Sequence, residues 1–361
     1  ELLNKAWQLN KKLNIKNLFL RIINTSLCII KNQDTKYPEY IKKFETRVSN
    51  YFNSKFCLTF SSGTLAARTL LVACGVKKNS KILMSKLSFP SVVTSALQIG
   101  ANIEFLDFDN NLQIKNISKL KKPNADYLLI THVYGLPQNM DNILNFLENN
   151  KNIKLMEDCS HAQGAKFKNK YVGTFGVGSF MSMQGSKALS AGEGGLMLTN
   201  DENIFEKSII LSHINRKHNF SNKSLENFSK VGLLGKGRAH PLGIISANLS
   251  LNNLDKNNKD MRKKFEIIFN YMKNIENIVV PVILNFNELG GFHYGFPFFC
   301  EDENKLSEIK SKLKIIKYDW PCLDEYDEFL IGEKFNNLIS DINFTKPLNN
   351  YRDERSNLYF I

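Results

Sequence analysis

Apolar residues recur along this chain at two different periods. Between Glu39 and Phe52 they fall at Ile41, Phe44, Val48, Tyr51 and Phe52, which is the spacing of a helix with one buried face. Pro38, just ahead, is suited to a first helical turn. A short strand is predicted at Phe56 to Phe60, and a helix of small and apolar residues at Leu65 to Gly75, ending at its glycine. Compact strand-like runs then recur at Ile82 to Met84, Ile103 to Phe108, Tyr127 to His132, Ile153 to Met156, Ser179 to Met183 and Gly195 to Thr199. Helical stretches such as Ser91 to Ile99 and Met140 to Asn149 lie between them. This alternation predicts a three-layer α/β domain with a mostly parallel central sheet over residues 1–245, including an N-terminal helical arm over 1–35. After Pro241 the pattern changes to one long charged helix, Leu242 to Asn274, and then to short elements that include the aromatic run Phe292 to Phe299. Residues 246–361 are therefore read as a smaller α+β domain.

Composition narrows the class. With 361 residues and 43% hydrophobic content the chain can bury substantial cores. A formal charge of +13 would suit an anionic partner, but the lysines are scattered through an Asn-, Lys- and Ile-rich background with no basic stripe interleaved with aromatics. The charge is read as a solvated surface, and no nucleic-acid partner is expected. The six cysteines, Cys28, Cys57, Cys74, Cys159, Cys300 and Cys322, stand singly. That spacing suits neither a zinc site nor a disulfide framework, so no metal is expected and a reducing, cytoplasmic setting is. No apolar stretch is long enough to span a bilayer. Residues 15–30, which include Lys16, Arg21 and Asn24, read as an amphipathic helix docked on the protein or a partner subunit, with a peripheral membrane helix as the alternative.

The candidate chemistry lies between Met156 and Thr199. An apolar run ends in Glu157-Asp158, and about thirty residues later comes Lys187, set among Gly185, Ser186, Ala188, Gly192, Gly194 and Gly195. An acid that protonates a ring nitrogen and a lysine that forms a Schiff base are what an aldehyde cofactor on a pyridine ring requires. The pairing makes a pyridoxal phosphate (PLP) enzyme the leading reading. Taken singly, each residue keeps a plainer alternative. Ser62-Gly63-Thr64 at a helix start either receives a phosphate or simply caps the helix. Phe89 either stacks on a flat ring or packs in the core. Asp158 either serves the cofactor or caps local backbone, and Lys187 either serves it or lies in a solvated loop.

Together and in this order, the motifs resemble the DegT/DnrJ/EryC1/StrS family of PLP-dependent sugar aminotransferases. The likeness runs from Phe44-Glu45 through Ser62-Gly63-Thr64, Ser88-Phe89 and His132-Val133-Tyr134-Gly135. It continues through Glu157 to Ala165 and Gly185-Ser186-Lys187 to Gly192-Glu193-Gly194-Gly195. It implies a PLP-dependent type I aminotransferase fold and a homodimer with shared active sites. By position it implies that Lys187 is the Schiff-base lysine, Asp158 the partner of the pyridine nitrogen and Phe89 the stacking ring. Ser62, Gly63, Thr64 and Ser182 would hold the phosphate, and His161 would lie near the phenolic oxygen. Relatives often carry Gly-x-Asn-x-Arg-Met, where this chain reads Gly235-Lys236-Gly237-Arg238-Ala239. Lys236 falls at the Asn position and could neutralise phosphate across the dimer as a point charge. Some relatives replace the Schiff-base lysine with His and catalyse deoxygenation, so Lys187 favours amino transfer. The implied activity moves an amino group from glutamate to a keto-sugar, nucleotide-linked, in amino-sugar or surface polysaccharide biosynthesis. The alternatives are a lyase or dehydratase on the same fold and a non-catalytic regulatory homologue.

Overall fold

The computed structural model describes residues 39–290, 295–312, 316–317 and 358–360, together with Ile23. The expected arm over 1–35, including the amphipathic stretch 15–30, otherwise lies outside the described residues, as do Phe292, His293, Tyr294, Cys28 and Cys322. Helix α1 is Glu39–Phe52, and Ile41, Phe44, Val48 and Phe52 on its apolar stripe are buried. It leads into strand β1, Phe56–Phe60, and helix α2, Gly63–Ala73. Then follow β2 (Lys81–Ser85), α3 (Pro90–Gln98), β3 (Asn102–Leu106), β4 (Tyr127–Thr131), α4 (Met140–Glu148) and β5 (Lys154–Asp158). β6 (Gly178–Ser182), β7 (Gly195–Thr199), α5 (Glu202–Ser212) and the long helix α6 (Pro241–Met272) complete the larger unit. The strand and helix expectations hold to within a residue or two at most ends. Helix α2 starts two residues earlier than expected because Ser62 caps it, and the strand expected to reach Phe108 ends at Leu106.

The seven strands form one sheet in the order β1-β7-β6-β5-β4-β2-β3. Neighbours from β6 through β3 pair in parallel, while β7 runs antiparallel to both β6 and β1. Six strands therefore point their carboxyl ends to the same edge, and a ligand site is expected there. Alternation along the strands splits the core in two. Ile82, Met84, Leu129, Met156 and Phe180 face α2, α3 and α5. On the opposite face, Leu83, Leu128, Ile130 and Leu155 meet α4, while Cys57, Met181 and Leu196 meet α1 and the first half of α6. Helices thus cover both faces, the arrangement that parallel strands with few polar positions require. Cys57, Cys74, Cys159 and Cys300 are buried and unbridged, consistent with small core residues.

The expected boundary at 245/246 falls inside α6. Ile244, Ala247, Leu251 and Leu254 belong to the core of the large unit, whereas Phe265 and Met272 pack with Phe296, Phe298 and Cys300 of the next sheet. A charged exterior marks this helix in sequence, but its inner stripe serves two cores in succession, so the helix is a strut between them. The second sheet joins β8 (Ile278–Val279), β9 (Pro297–Cys300), β10 (Ile316–Lys317) and β11 (Leu358–Phe360) in the order β8-β9-β11-β10, all antiparallel. No helix of the described residues is long and apolar enough to cross a membrane.

β1 is an edge strand, and its outward amides are met from outside the sheet. Glu45 of α1, 4% exposed, accepts from the Thr59 amide and hydroxyl, each at 2.9 Å. The same carboxylate is forked by the buried Arg216 guanidinium at 3.2 and 2.7 Å. Two residues on, the Ser61 amide donates to Gly237 O at 2.8 Å. These contacts close an edge that would otherwise expose donors, and they fix the strand that delivers residues 62–64. A buried pair of this kind is strongly destabilising to break from one side, by about 3 kcal/mol. Arg216→Ala and Glu45→Ala should each shift chemical denaturation by about that amount, and the double variant should lose less than the sum because neither charge is then stranded. Strictly additive losses in the denaturation cycle would show that the pair does not act as a unit.

Candidate active site

The carboxyl edge of the sheet holds a cavity of about 190 Å³. Its lining takes in Ser62, Gly63 and Thr64 after β1, Phe89 after β2, Thr131 of β4, Asp158 and His161 at the end of β5, and Ser182 and Lys187 after β6. All the site residues expected from sequence meet here except Lys236.

Asp158 is the last residue of β5 and is 2% exposed. Its Oδ1 accepts from the Ser160 amide at 2.9 Å, and the Ser160 hydroxyl in turn accepts from the Ser182 amide at 2.9 Å. Desolvation pushes the Asp158 carboxyl above the usual carboxylate range, against the lowering by the Ser160 hydrogen bonds and the Lys187 charge. Glu157, one residue earlier, points to the other face and is saturated. It accepts from the Gly173, Phe175 and Gly176 amides at 2.7, 2.7 and 2.8 Å and sits 3.2 Å from His132 Nε2. His132 Nδ1 accepts from the Gln138 amide, so Nε2 carries the proton and donates to Glu157. His132, Glu157 and Cys159 bring ligand-type atoms within 4.8 Å of one another. With the carboxylate already satisfied by these donors, the group acts as a hydrogen-bonded staple behind β5.

The anion end of the cavity is built by close approach. Ser62 is the N-cap of α2, its hydroxyl accepting from the Leu65 amide at 3.1 Å. The capping role is thus observed, and it is compatible with a ligand role, since the cap leaves the first-turn amides at the cavity. A Cβ at Gly63 would lie 2.8 Å from Ser182 Cα, and one at Gly195 would lie 2.2 Å from Ser62 O. Only glycines let the β1–α2 turn press onto β6 and β7 this tightly. The Thr64 hydroxyl bonds that of Ser91 at 2.8 Å, and the Ser182 hydroxyl accepts from the Gln184 amide at 3.3 Å.

Lys187 is 8% exposed, on a segment tied to the rest of the site by Gln163. The Gln163 amide group donates to Ser182 O at 2.7 Å and accepts from the Leu189 amide at 2.6 Å, so a single buried side chain spans the two ends of the lysine-bearing turn. His161 is buried, its ring tilted against Tyr134 at 5.4 Å between centroids, and its Nδ1 accepts from the Tyr134 amide at 3.4 Å. Tyr134 adopts φ 51° and ψ 30°, a left-handed conformation that aims that amide at the imidazole. Phe89 is 44% exposed, so its ring offers a face to the cavity and is not a core residue. Lys236 is exposed and does not line the cavity of its own chain.

Sequence reasoning missed Ser160, Gln163, Tyr134, Gln184 and Glu193. Ser160 and Gln163 lie within the quoted Glu157 to Ala165 motif, but nothing in spacing alone shows a side chain reaching 19 to 26 residues onward. The lining suits a pyridine aldehyde bearing a phosphate. First-turn amides and hydroxyls suit an anion, the buried Asp158 carboxylate suits a cationic ring nitrogen, and Lys187 lines the same space.

A model of the DegT/DnrJ/EryC1/StrS aminotransferase family matches residues 21–315. Among curated proteins, GDP-perosamine synthase of Escherichia coli O157:H7 is 29% identical over 243 residues, covering 66% of this chain and 64% of that protein. The UDP-4-amino-4,6-dideoxy-N-acetyl-beta-L-altrosamine transaminase of Campylobacter jejuni subsp. jejuni serotype O:23/36 is 30% identical over 241 residues, 65% of this chain and 62% of that one. The chain thus spans slightly under two thirds of the length of these relatives. Among solved structures, GDP-4-keto-6-deoxymannose-3-dehydratase with a trapped PLP-glutamate geminal diamine has a TM-score of 0.75 at 23% identity, over 94% of this chain and 92% of that chain, which shows a common fold. With the family model covering most of its length and that fold matched, this chain belongs to the DegT/DnrJ/EryC1/StrS aminotransferase family.

Proposed function

We propose that this protein is a PLP-dependent transaminase that moves an amino group from glutamate to a nucleotide-linked keto-sugar. The observation that carries the reading is the convergence of Lys187, Asp158 and the α2 amino end on one cavity. The names of the two aminotransferase relatives point to nucleotide sugars as the substrate class. Ser62, Gly63, Thr64 and Ser182 would hold the phosphate, Phe89 would cover a ring face, and His161 Nε2 would donate toward the phenolic oxygen. PLP, when bound, supplies an electron sink for the electron pair left at the donor's α-carbon. Asp158 would hold the proton on the ring nitrogen, and its burial would make that charge pairing strong. Lys187 Nζ would carry a proton away from the donor carbon and return one in the second half-reaction.

A dehydratase reading is favoured by one relative, the GDP-4-keto-6-deoxy-D-mannose 3-dehydratase of Escherichia coli O55:H7, 33% identical over 177 residues. Lys187 weighs against it, because a primary amine can exchange with a substrate amine and so recycle the enzyme through transfer. We further propose a homodimer. Among the described residues, Lys187 is the one Lys or Arg side chain lining the cavity, and it is committed to chemistry, so these residues leave a phosphate dianion without a full counter-charge. Lys236 lies on the turn whose Gly237 carbonyl receives the Ser61 amide, beside the exposed Val231 and Leu233. Association through this face would bury those side chains and bring Lys236 to a second copy's phosphate.

Borohydride treatment of the PLP-loaded protein should fix the cofactor on the peptide containing Lys187, and Lys187→Ala should abolish glutamate-dependent amino transfer to keto-sugars. Full turnover by that variant would sink the assignment. The raised Asp158 pKa gives a second test on protein without cofactor. A carboxyl held above its unfolded value stabilises the fold at pH below that unfolded value, near 4, and this contribution is lost as pH rises through the folded pKa. Asp158→Asn should therefore melt higher than the parent at neutral pH, with the gap closing as pH falls toward 4, while its PLP-dependent activity drops by about 100-fold or more. Parallel melting curves at all pH values would contradict the burial cost assigned to this carboxylate.

A further inference from the structure

The turn that carries Lys187 also carries two polar side chains that the mechanism does not use. Its base is stitched closed. The Met183 amide donates to Gly194 O at 2.8 Å, the Ala191 amide donates to Met183 O at 2.8 Å, and Gln184 forms a bridge with Gly192. Helix α6 clamps the far side. The Ser250 hydroxyl donates to Ser190 O at 3.1 Å, and a Cβ at Gly243 would fall 2.9 Å from Ala191 O and 3.3 Å from Glu193 O. The backbone at the cavity mouth is therefore pinned from within and from outside, and a side chain rooted there has a defined origin.

Gln184 and Glu193 are rooted there. Both are exposed, both line the cavity with Lys187, and the 184–192 bridge places them on neighbouring strands of the turn. Among the described residues, no hydrogen bond or ion pair engages either side chain. Among the described residues, the only other carboxylate of the lining is Asp158, buried at the end of β5. An exposed carboxylate beside a carboxamide presents strong acceptors next to a donor, the pattern that fits adjacent hydroxyl groups. The same negative charge opposes a second carboxylate, so this rim is unsuited to the side chain of glutamate and suited to a neutral polyol ring.

We propose that Glu193 and Gln184 form the subsite that reads the sugar ring, Glu193 accepting from a hydroxyl beside the carbonyl carbon and Gln184 donating to its neighbour. This rests on the sugar transaminase reading. It separates the two substrates in space, with the acceptor sugar on the 184–194 rim and the donor carboxylates elsewhere.

The test splits the two half-reactions on the PLP-loaded enzyme. Loss of the visible cofactor absorbance on adding glutamate follows the first, and its recovery on adding a keto-sugar follows the second. The sugar probes are the GDP-, UDP- and dTDP-linked 4-keto-6-deoxysugars, taking the one the parent enzyme uses best. Glu193→Ala is expected to raise the sugar concentration for half-maximal recovery by about tenfold or more, to leave the glutamate step at the parent's rate, and to be partly rescued by Glu193→Gln. Gln184→Ala should act in the same direction and less strongly. Removing the hydroxyl adjacent to the carbonyl from the probe should penalise the parent and not Glu193→Ala. An unchanged sugar step in Glu193→Ala, or equal losses in both steps, would overturn the subsite while leaving the transaminase reading intact. A parent enzyme that shows no glutamate step, or accepts no sugar of the panel, would remove the reading on which the subsite rests.

Discussion

Burying the Asp158 carboxylate at the end of a central strand is the constraint around which this site is organised. It is 2% exposed, and among the described residues the Ser160 hydrogen bonds and the charges of Lys187 and His132 offset its desolvation in part. A group in that state is costly unless a cation meets it, and a protonated ring nitrogen is such a cation. The surrounding structure holds the carboxylate in place at that cost. Ser160 links it to Ser182, Ser182 is pressed against Gly63, and Gly63 opens the helix whose amides face the anion end. The carboxylate and the anion end of a single ligand are thus positioned by one chain of contacts.

Rigidity comes from outside the site. β1 delivers the turn at residues 62–64 to the cavity from a sheet edge, and Glu45, Arg216 and Gly237 close that edge with a buried ion pair and backbone bonds. On the opposite wall, Gln163 and the start of α6 hold the turn that bears Lys187. The long helix connects this wall to the second sheet, because its inner stripe passes from the core of the large unit to that of the smaller one.

Lys236 is the proposed site residue that lies outside the cavity of its own chain. The turn that holds it is anchored to Ser61, next to residues 62–64, yet its side chain is exposed and outside the cavity. Its placement fits a residue that serves another copy, and the exposed Val231 and Leu233 on the same segment fit a surface that is covered in an assembly.

Much of this was legible in the residue order. Strands such as Gly195–Thr199 and the helix Glu39–Phe52 stand where the apolar periods put them, because local burial patterns are short-range and repeat within a single element. The acid, the lysine and the small residues around them were legible as chemistry, since side-chain type limits what each can do. What the order left open was every contact made across large separations. Gln163 reaches Leu189, Glu45 reaches Arg216, and Glu193 shares a cavity wall with Ser62, pairings that exist only once the strands lie side by side. The sequence by itself determined the kinds of element, their order and the reactive groups at their ends. The tertiary structure alone decided which of those groups meet, how deeply Asp158 is desolvated and where one core passes to the next, because these depend on sheet order and close packing between residues far apart in the chain.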